Sequence, residues 1–475
     1  MRWSCLCAAL LIGGCHVGTP YHRPETTLPS SWDAPLPAGF VASGDWWGSF
    51  GDPQLQALLE RAIRGSPDMR IAVNRILEAR AMARVARSYQ FPNVGFGAQP
   101  ADQITSQYTT IDKGGTIDID ADLIEVGLYA SYTIDFWKRL QQNTTAARAD
   151  REASEFDAGV VEISLRSAVA RAYFDIRRYD EEIAIGKQRE GLAKESLRLA
   201  RMRQAAGRAD AGPVIDAEQA QYQAQARLSK LRLERTLALH DLAVLIGENP
   251  GSLEFEPAPL RKTVTAAVPP EGLPSSLLER RPDLRAAESR LQAAHARANV
   301  ARAELFPNIA LTAKYGYVSG DVRNLPKVGS TIAGIGPEIS YPLYDAGRGE
   351  AVLDASLSRR DAALNEYRKA VLVALSDVER ALLNYQACVE AAERNTRMSE
   401  MQRAQVRRVE SALASGRTSG FDVIAAKERM LELDADALHN HRDRLDSLVA
   451  LYQAMGGGWS VQDLPMPTEY SANKQ

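Results

Sequence analysis

Cysteine is scarce: four in 475 residues, and three of them, Cys5, Cys7 and Cys15, crowd the amino terminus. Cys5 and Cys7 fall in a leader, so with Cys15 modified only Cys388 remains and no internal disulfide can staple the chain. Cys388 sits in a helical pattern and reads as a small buried apolar residue. Charge of one sign is also missing. The net charge is −3, from 57 Lys and Arg against 60 Asp and Glu, so no basic field points to nucleic acid. The apolar run Leu6–Ile12 is too short for a membrane helix, which needs about 20 residues. Gly456-Gly457-Gly458 lacks a following Lys-Ser/Thr and is a helix stop, not a phosphate loop. His439 and His441 lie two apart on a helical pattern and point to opposite sides, so they cannot share a metal. No Ser-His-Asp or paired-carboxylate pattern stands out. Proline is absent from Arg139–Ala206 and from Glu350–Ser415, and each of these stretches predicts one helix roughly 100 Å long.

The leader has Arg2 as its positive end, the short apolar core, and then Leu11-Ile12-Gly13-Gly14-Cys15. Small residues directly before a cysteine resemble a bacterial lipobox, in which Cys15 becomes the acylated first residue; the other reading is an ordinary secretory signal. Residues 1–14 are thus a signal peptide. Residues 15–65 are an arm rich in Pro, Gly and Trp, followed by a short helix with Asp52 as N-cap and Pro53 at its first position. Trp46-Trp47 reads as packing of the arm, with a membrane-interface anchor as the alternative.

The body of the chain is a duplication. Ser66–Asn93 and Arg281–Asn308 share Pro-Asp at the start, Val-Ala-Arg inside and Phe-Pro-Asn at the end. Pro67 to Pro282 and Pro92 to Pro307 are both offsets of 215 residues. The first repeat, 66–247, reads as a helix to Phe91, two strand segments, and a long helical hairpin. The strand segments are Val94–Gln99 and an alternating stretch from Ile117–Leu123 through Val126–Trp137. The hairpin turns at Ala206–Pro213 and stops at Gly247. A linker, 248–280, follows. The second repeat, 281–456, has a helix to Phe306, strands at Ile309–Val318 and Ile332–Tyr344, and a second hairpin turning at Gly416-Arg417; residues 457–475 form a tail. Tyr341–Arg348 matches Tyr132–Arg139. Val371, Leu375, Val378, Leu382, Tyr385 and Val389 are spaced 4, 3, 4, 3, 4, a coiled-coil stripe.

Four strands cannot close in lipid, where a barrel needs at least about eight and leaves no edge unpaired. Three copies give 12 strands and two give the minimum; a soluble four-stranded sheet satisfies the same periodicity. Helices of this length suit a spacer, a filament or a conduit.

At this point the chain resembles the outer-membrane factor family, the TolC-, OprM- and NodT-like channels of bacterial efflux pumps. The carriers are Cys15 with Val17-Gly18 and Tyr21-His22-Arg23-Pro24, and Glu279-Arg280-Arg281-Pro282-Asp283-Leu284-Arg285. To these add both Phe-Pro-Asn sites, Tyr341–Arg348 and Met455–Trp459. The resemblance implies an α+β membrane protein: a homotrimer with a 12-stranded outer-membrane β-barrel, four strands per chain, continuous with a long periplasmic α-helical barrel. It implies a non-enzymatic exit duct for small molecules in a tripartite pump. The duct would be lipid-anchored in the outer membrane and docked through a periplasmic adaptor to an inner-membrane pump of the RND type, which would carry the selectivity. No nucleic acid, metal or cofactor is expected beyond the covalent lipid on Cys15. The alternatives are the exit duct of a type I protein-secretion system and, in another class, a periplasmic adaptor lipoprotein. The resemblance places the helix-to-strand junctions at Phe91, Pro92 and Asn93 and at Phe306, Pro307 and Asn308. It places the adaptor-binding, aperture-forming tips at Gly207, Arg208 and Asp210 and at Gly416 and Arg417. In the drug-efflux branch an Asp nine residues after the second tip Gly constricts the aperture. Here that position is Ala425, so the expected acidic ring falls to Asp216 or Asp422. The family often has Gly where this chain has Trp137-Lys138-Arg139.

Overall fold

The computed structural model describes residues 17–26, 29, 31–32, 47–102, 122–263, 277–325, 327–460 and 464–466. The leader with Cys15, Trp46, the expected strand residues 117–121, the middle of the linker and the last nine residues lie outside the described residues. The chain forms two compact units: Met1–Glu25, Leu77–Ala153 and Ala287–Tyr367 in one, and Thr26–Ile76, Ser154–Ala286 and Arg368–Gln475 in the other. Each unit draws on both sequence repeats.

Helix α1, Pro53–Gly65, begins where Asp52 accepts from Gln54 N at 2.9 Å and Leu55 N at 3.4 Å. Helix α2, Pro67–Ser88, ends three residues before Phe91, the end expected from sequence. Pro92 explains the difference: the residue before a proline is driven out of the helical region. The chain closes instead in a turn, with Phe91 N donating to Ser88 O at 3.1 Å. Strands β1, Asn93–Asp102, and β2, Asp122–Thr133, follow. Then come helix α3, Arg139–Ala205, and its return, α4, Gly212–Leu245. The linker, aperiodic in sequence, carries two one-turn helices, α5, Leu260–Thr263, and α6, Leu277–Arg280.

The second repeat runs the same way. Helix α7, Pro282–Ala303, leads to β3, Asn308–Ser319, and β4, Thr331–Ser340. Helices α8, Arg348–Ala414, and α9, Gly420–Ala454, form the second hairpin. Both long helices have 67 residues and end within two residues of the expected bounds.

In the first unit the strands form one antiparallel sheet in the order β1-β2-β3-β4. In the second unit Phe50 sits at the centre, its ring 5.5 Å from Phe174 and 6.5 Å from Tyr452. Trp47 is buried against it, so this tryptophan packs, as expected. On α8, Val371, Val378, Leu382 and Tyr385 are buried and Leu375 and Val389 partly so, which makes the heptad stripe the inward face. Helix α3 is tied to α9 by a ladder of polar contacts: ion pairs of Arg171 with Asp446 and of Asp175 with Arg442 at 2.9 Å, and a hydrogen bond between Glu182 and His439. His439 therefore faces α3. His441 lines a separate polar hollow with Asn395 and Arg444.

Candidate functional site: the strand sheet and the hairpin tips

The sheet of the first unit has two unlike faces. Residues paired across an antiparallel sheet share a face. One cross-strand row is Phe96, Leu128 and Tyr315, and the next is Val94, Ala130, Ala313 and Ile335. With Tyr132, Leu311 and Ile339 these make an apolar face open to the surroundings; Phe96 is 72% exposed and Ile335 76%. The opposite face is polar or glycine: Asn93, Ser131, Thr312 and Gly336 in one row, Gly95, Tyr129, Lys314 and Gly334 in the next. These residues line a hollow of about 520 Å³. Lys314 pairs with Glu125 on that face at 3.4 Å. Such a sheet is built to stand between an apolar medium and water. Among the described residues β1 and β4 each have one hydrogen-bonded neighbour, so both edges are open.

The junctions feed this sheet. Asn93 opens β1 and pairs with Ser131; Asn308 opens β3 and pairs with Ser340. Pro307 O accepts from Trp137 Nε1 at 2.8 Å, and the Trp137 ring lies 4.7 Å from Phe306. The second-repeat helix is thereby locked to the start of α3. Among the described residues Phe91 has no such lock; it is 55% exposed under the Arg87 guanidinium, 5.9 Å from its ring centre. Trp137-Lys138-Arg139 has no glycine at the turn into α3, and the backbone shows what that entails. Lys138 adopts φ 61°, a left-handed conformation, and Gly347, its match in the second repeat, adopts φ 82°. Asp135 supports the strained residue by accepting from Leu140 N at 3.0 Å and Gln141 N at 2.7 Å, capping α3.

In the second unit the two tips are built alike. Gly207 at φ +67° and Gly416 at φ +70° turn the chain, and the next amide reaches back five residues: Arg208 N to Arg203 O and Arg417 N to Ala412 O, both 2.9 Å. They differ in how the return helix starts. Helix α4 has Pro213 in its first turn and no side-chain cap. Helix α9 has a full capping box between Ser419 and Asp422. The Asp422 Oδ2 atom accepts from Ser419 Oγ at 2.6 Å, Thr418 Oγ1 at 2.7 Å and Ser419 N at 2.9 Å. Those bonds, the Ser419 hydroxyl foremost, hold its carboxyl down at about 2. Asp216 and Asp210 are exposed, and neither makes an ion pair or side-chain hydrogen bond among the described residues. Ala425 is exposed on α9. The hairpins meet just above the turns, where Phe421 and Val214 pack on Leu197, Ala200 and Ala217 and the Arg203 guanidinium lies 5.3 Å from the Phe421 ring.

Two features escaped the sequence reading. On α4, Ile215, Tyr222, Leu233, Leu237 and Val244 are all at least half exposed. Their spacings of 7, 11, 4 and 7 residues put them on one side of the helix, an apolar stripe about 44 Å long. The signal was present in that period but was masked by the alanines between. The second is a buried charge cluster. Arg177 donates to Tyr173 OH at 3.0 Å, Asp180 Oδ2 at 3.2 Å, Glu256 O at 2.7 Å and the Gln54 side chain. Arg235 takes the other Asp180 oxygen, and Tyr173 OH donates to Asp52, the α1 cap. This cluster fastens α1 and the linker to the first hairpin.

Comparison with known proteins agrees with this geometry. Residues 58–248 and 273–457 match the family model described as outer membrane efflux protein. The chain is 34% identical over 470 residues to the pyoverdine export outer membrane protein OpmQ of Pseudomonas aeruginosa, covering 96% of each chain. It is 28% identical over 464 residues to the solvent efflux pump outer membrane protein SrpC of Pseudomonas putida, covering 96% of this chain and 97% of the other. Its fold superposes on the outer-membrane channel OprN with a TM-score of 0.83 at 28% identity, covering 94% of this chain and all of the other. The two matched segments bracket the two repeats read from the sequence, and the chain belongs to the outer membrane efflux protein family.

Proposed function

We propose that three copies of this chain form the passive exit duct of a tripartite efflux pump, each giving four strands to a 12-stranded barrel. The open sheet carries this reading. Its apolar face calls for lipid and its polar face for water, and unpaired strand edges are not tolerated in a bilayer. Like strands from further copies satisfy both edges. The exposed α4 stripe supports the same assembly, since a single chain leaves these side chains exposed.

On this reading, small molecules pass through without catalysis. OpmQ and SrpC carry pyoverdine and solvent in their names, and small molecules are the cargo class proposed here. A periplasmic adaptor docks at the tips around Gly207-Arg208 and Gly416-Arg417 and links the duct to an RND-type inner-membrane pump. Cys15 carries the lipid anchor. Asp216 is the better candidate for the acidic ring at the aperture, because Asp422 spends one carboxylate oxygen on its own helix cap.

The test is conductance of the purified protein in a planar bilayer, together with its migration on a mild gel before and after heating. A conducting species of three chains that heat converts to one is the expected result. A chain that stays monomeric and non-conducting overturns the proposal.

A further inference from the structure

In the first unit, residues 18–23 lie along one side of α7, against Glu288, His295 and Asn299, which are seven and four residues apart. Asn299 is 3% exposed, and its carboxamide grips the Thr19 peptide from both sides. Thr19 N donates to Asn299 Oδ1 at 3.1 Å, and Asn299 Nδ2 donates to Thr19 O at 2.9 Å. His295 Nε2 lies 2.8 Å from the same carbonyl, which can only accept, so that nitrogen carries the proton. The Tyr21 ring meets His295 edge-on at 5.7 Å, and Arg23 pairs with Glu288 at 2.9 Å. Gly18 passes flat over the Asn299 side chain; a β carbon there would stand 2.8 Å from Asn299 Cγ. A buried asparagine whose side chain bonds one remote peptide twice is a specific holder of that segment.

We propose that this strip on α7 is a tether stop: it holds the chain four residues after Cys15, so that an acyl group on Cys15 enters the bilayer beside the strand ends. The proposal rests on the reading of Cys15 as the acylated residue. Four residues span at most about 14 Å. Asn299 is four residues from the end of α7 at Ala303, about 6 Å along its axis, and nine residues from Asn308, where β3 begins. The lipid and the strands are thereby held to the same edge of the membrane. Releasing the strip lengthens the tether, and the end of a longer tether is diluted by roughly the three-halves power of its length. The strip therefore acts on how fast the anchored chain finds its place in the bilayer.

The experiment compares the full chain with Gly18→Val, which leaves α7 intact, and Asn299→Ala, each with Cys15 present or changed to serine. Hydrogen exchange of residues 17–24 reports the clasp, and circular dichroism reports helix content. The rate of appearance of the heat-sensitive oligomer in phosphatidylethanolamine–phosphatidylglycerol vesicles reports assembly. Mass spectrometry of the amino-terminal peptide reports the acyl group. Both variants are expected to free residues 17–24 and to slow assembly severalfold with helix content unchanged, and neither slows it further once Cys15 is serine. A slowing that persists undiminished in the serine background makes the strip a folding contact and overturns the proposal, as does a freed arm with no slowing. An unacylated wild-type peptide overturns the Cys15 reading and the proposal together, whereas an acylated one separates them.

Discussion

Gly65 and Gly247 meet backbone to backbone. A β carbon on either would fall inside contact distance of the other segment: Gly247 on the Gly65 carbonyl, Gly65 on the Ile246 carbonyl. Gly247 also sits at φ +77°. The duplication repeats the contact at Gly456, φ +84°, which rests on Arg280 with its would-be β carbon 2.9 Å from the carbonyl. The stop of each return helix therefore docks on the segment that opens each Pro-Asp helix. Gly247→Ala incurs both the left-handed penalty, about 1–2 kcal/mol, and an overpacking cost of about 1–3 kcal/mol. It should lower the thermal midpoint of the detergent-solubilised protein more than Gly456→Ala, whose contact is looser. Circular dichroism melts of the two variants check the order.

Asp180 divides its two oxygens between Arg177 and Arg235, and its Oδ2 also accepts from Ala258 N at 3.1 Å. Its side chain is 2% exposed, as is fitting for a buried carboxylate with three donors. Asp180→Ala leaves the buried Arg177 charge short of its partner, with a second guanidinium close by. Breaking a buried pair from one side costs about 3–5 kcal/mol. The variant is expected to melt earlier and to expose the linker near Phe255 to protease before the strands are lost, as read by timed digestion and mass spectrometry.

How much of this was legible depends on the range of the constraint. Proline and glycine act on their own residue, so Pro92, Pro307, Gly207 and Gly416 marked the junctions and turns correctly, and helix ends missed by no more than three residues. Strand alternation is likewise local, and the apolar row through Phe96 and Leu128 was implicit in it. The Arg177 cluster was not legible, because Gln54, Tyr173, Asp180, Arg235 and Glu256 come from four separate stretches and nothing in one stretch announces the others. Asn299 is one polar residue on a helix in the sequence, and its partner, Thr19, lies 280 residues away. Asp422 shows the opposite case: the Ser419-x-x-Asp422 signature of a capping box stood in the sequence beside the reading of Asp422 as an aperture acid.

The apolar stripe on α4 gives a test of assembly that leaves the membrane strands untouched. Leu233 is 58% exposed and Leu237 50% exposed, one turn apart, so changing both to glutamate disturbs little in a lone chain. In an assembled tube the two carboxylates would lie unpaired in an apolar seam, at several kcal/mol each. The double variant should retain its helix content and lose the heat-sensitive oligomer by at least 10-fold on a mild gel. An oligomer of wild-type yield would place the seam on another face.

Asp422 and Asp216 should part company in acid and in conductance. The capping bonds depress the Asp422 carboxyl from 3.8 to about 2. A carboxyl that is more acidic in the folded state stabilises it above its unfolded value and loses that contribution as pH falls through its folded one. The start of α9 should therefore hold firm above about pH 4 and loosen between pH 4 and 2, seen as faster hydrogen exchange across residues 418–424. In Asp422→Asn the loosening is present already at neutral pH and the acid step disappears. Conductance should follow the other carboxylate. Asp216 is exposed and uncommitted to a cap, so Asp216→Ala should reduce cation preference in a planar bilayer severalfold, while Asp422→Asn leaves it near the wild-type value. Equal effects from both variants would refute the assignment of the ring to Asp216. No effect from either would remove the acidic ring altogether.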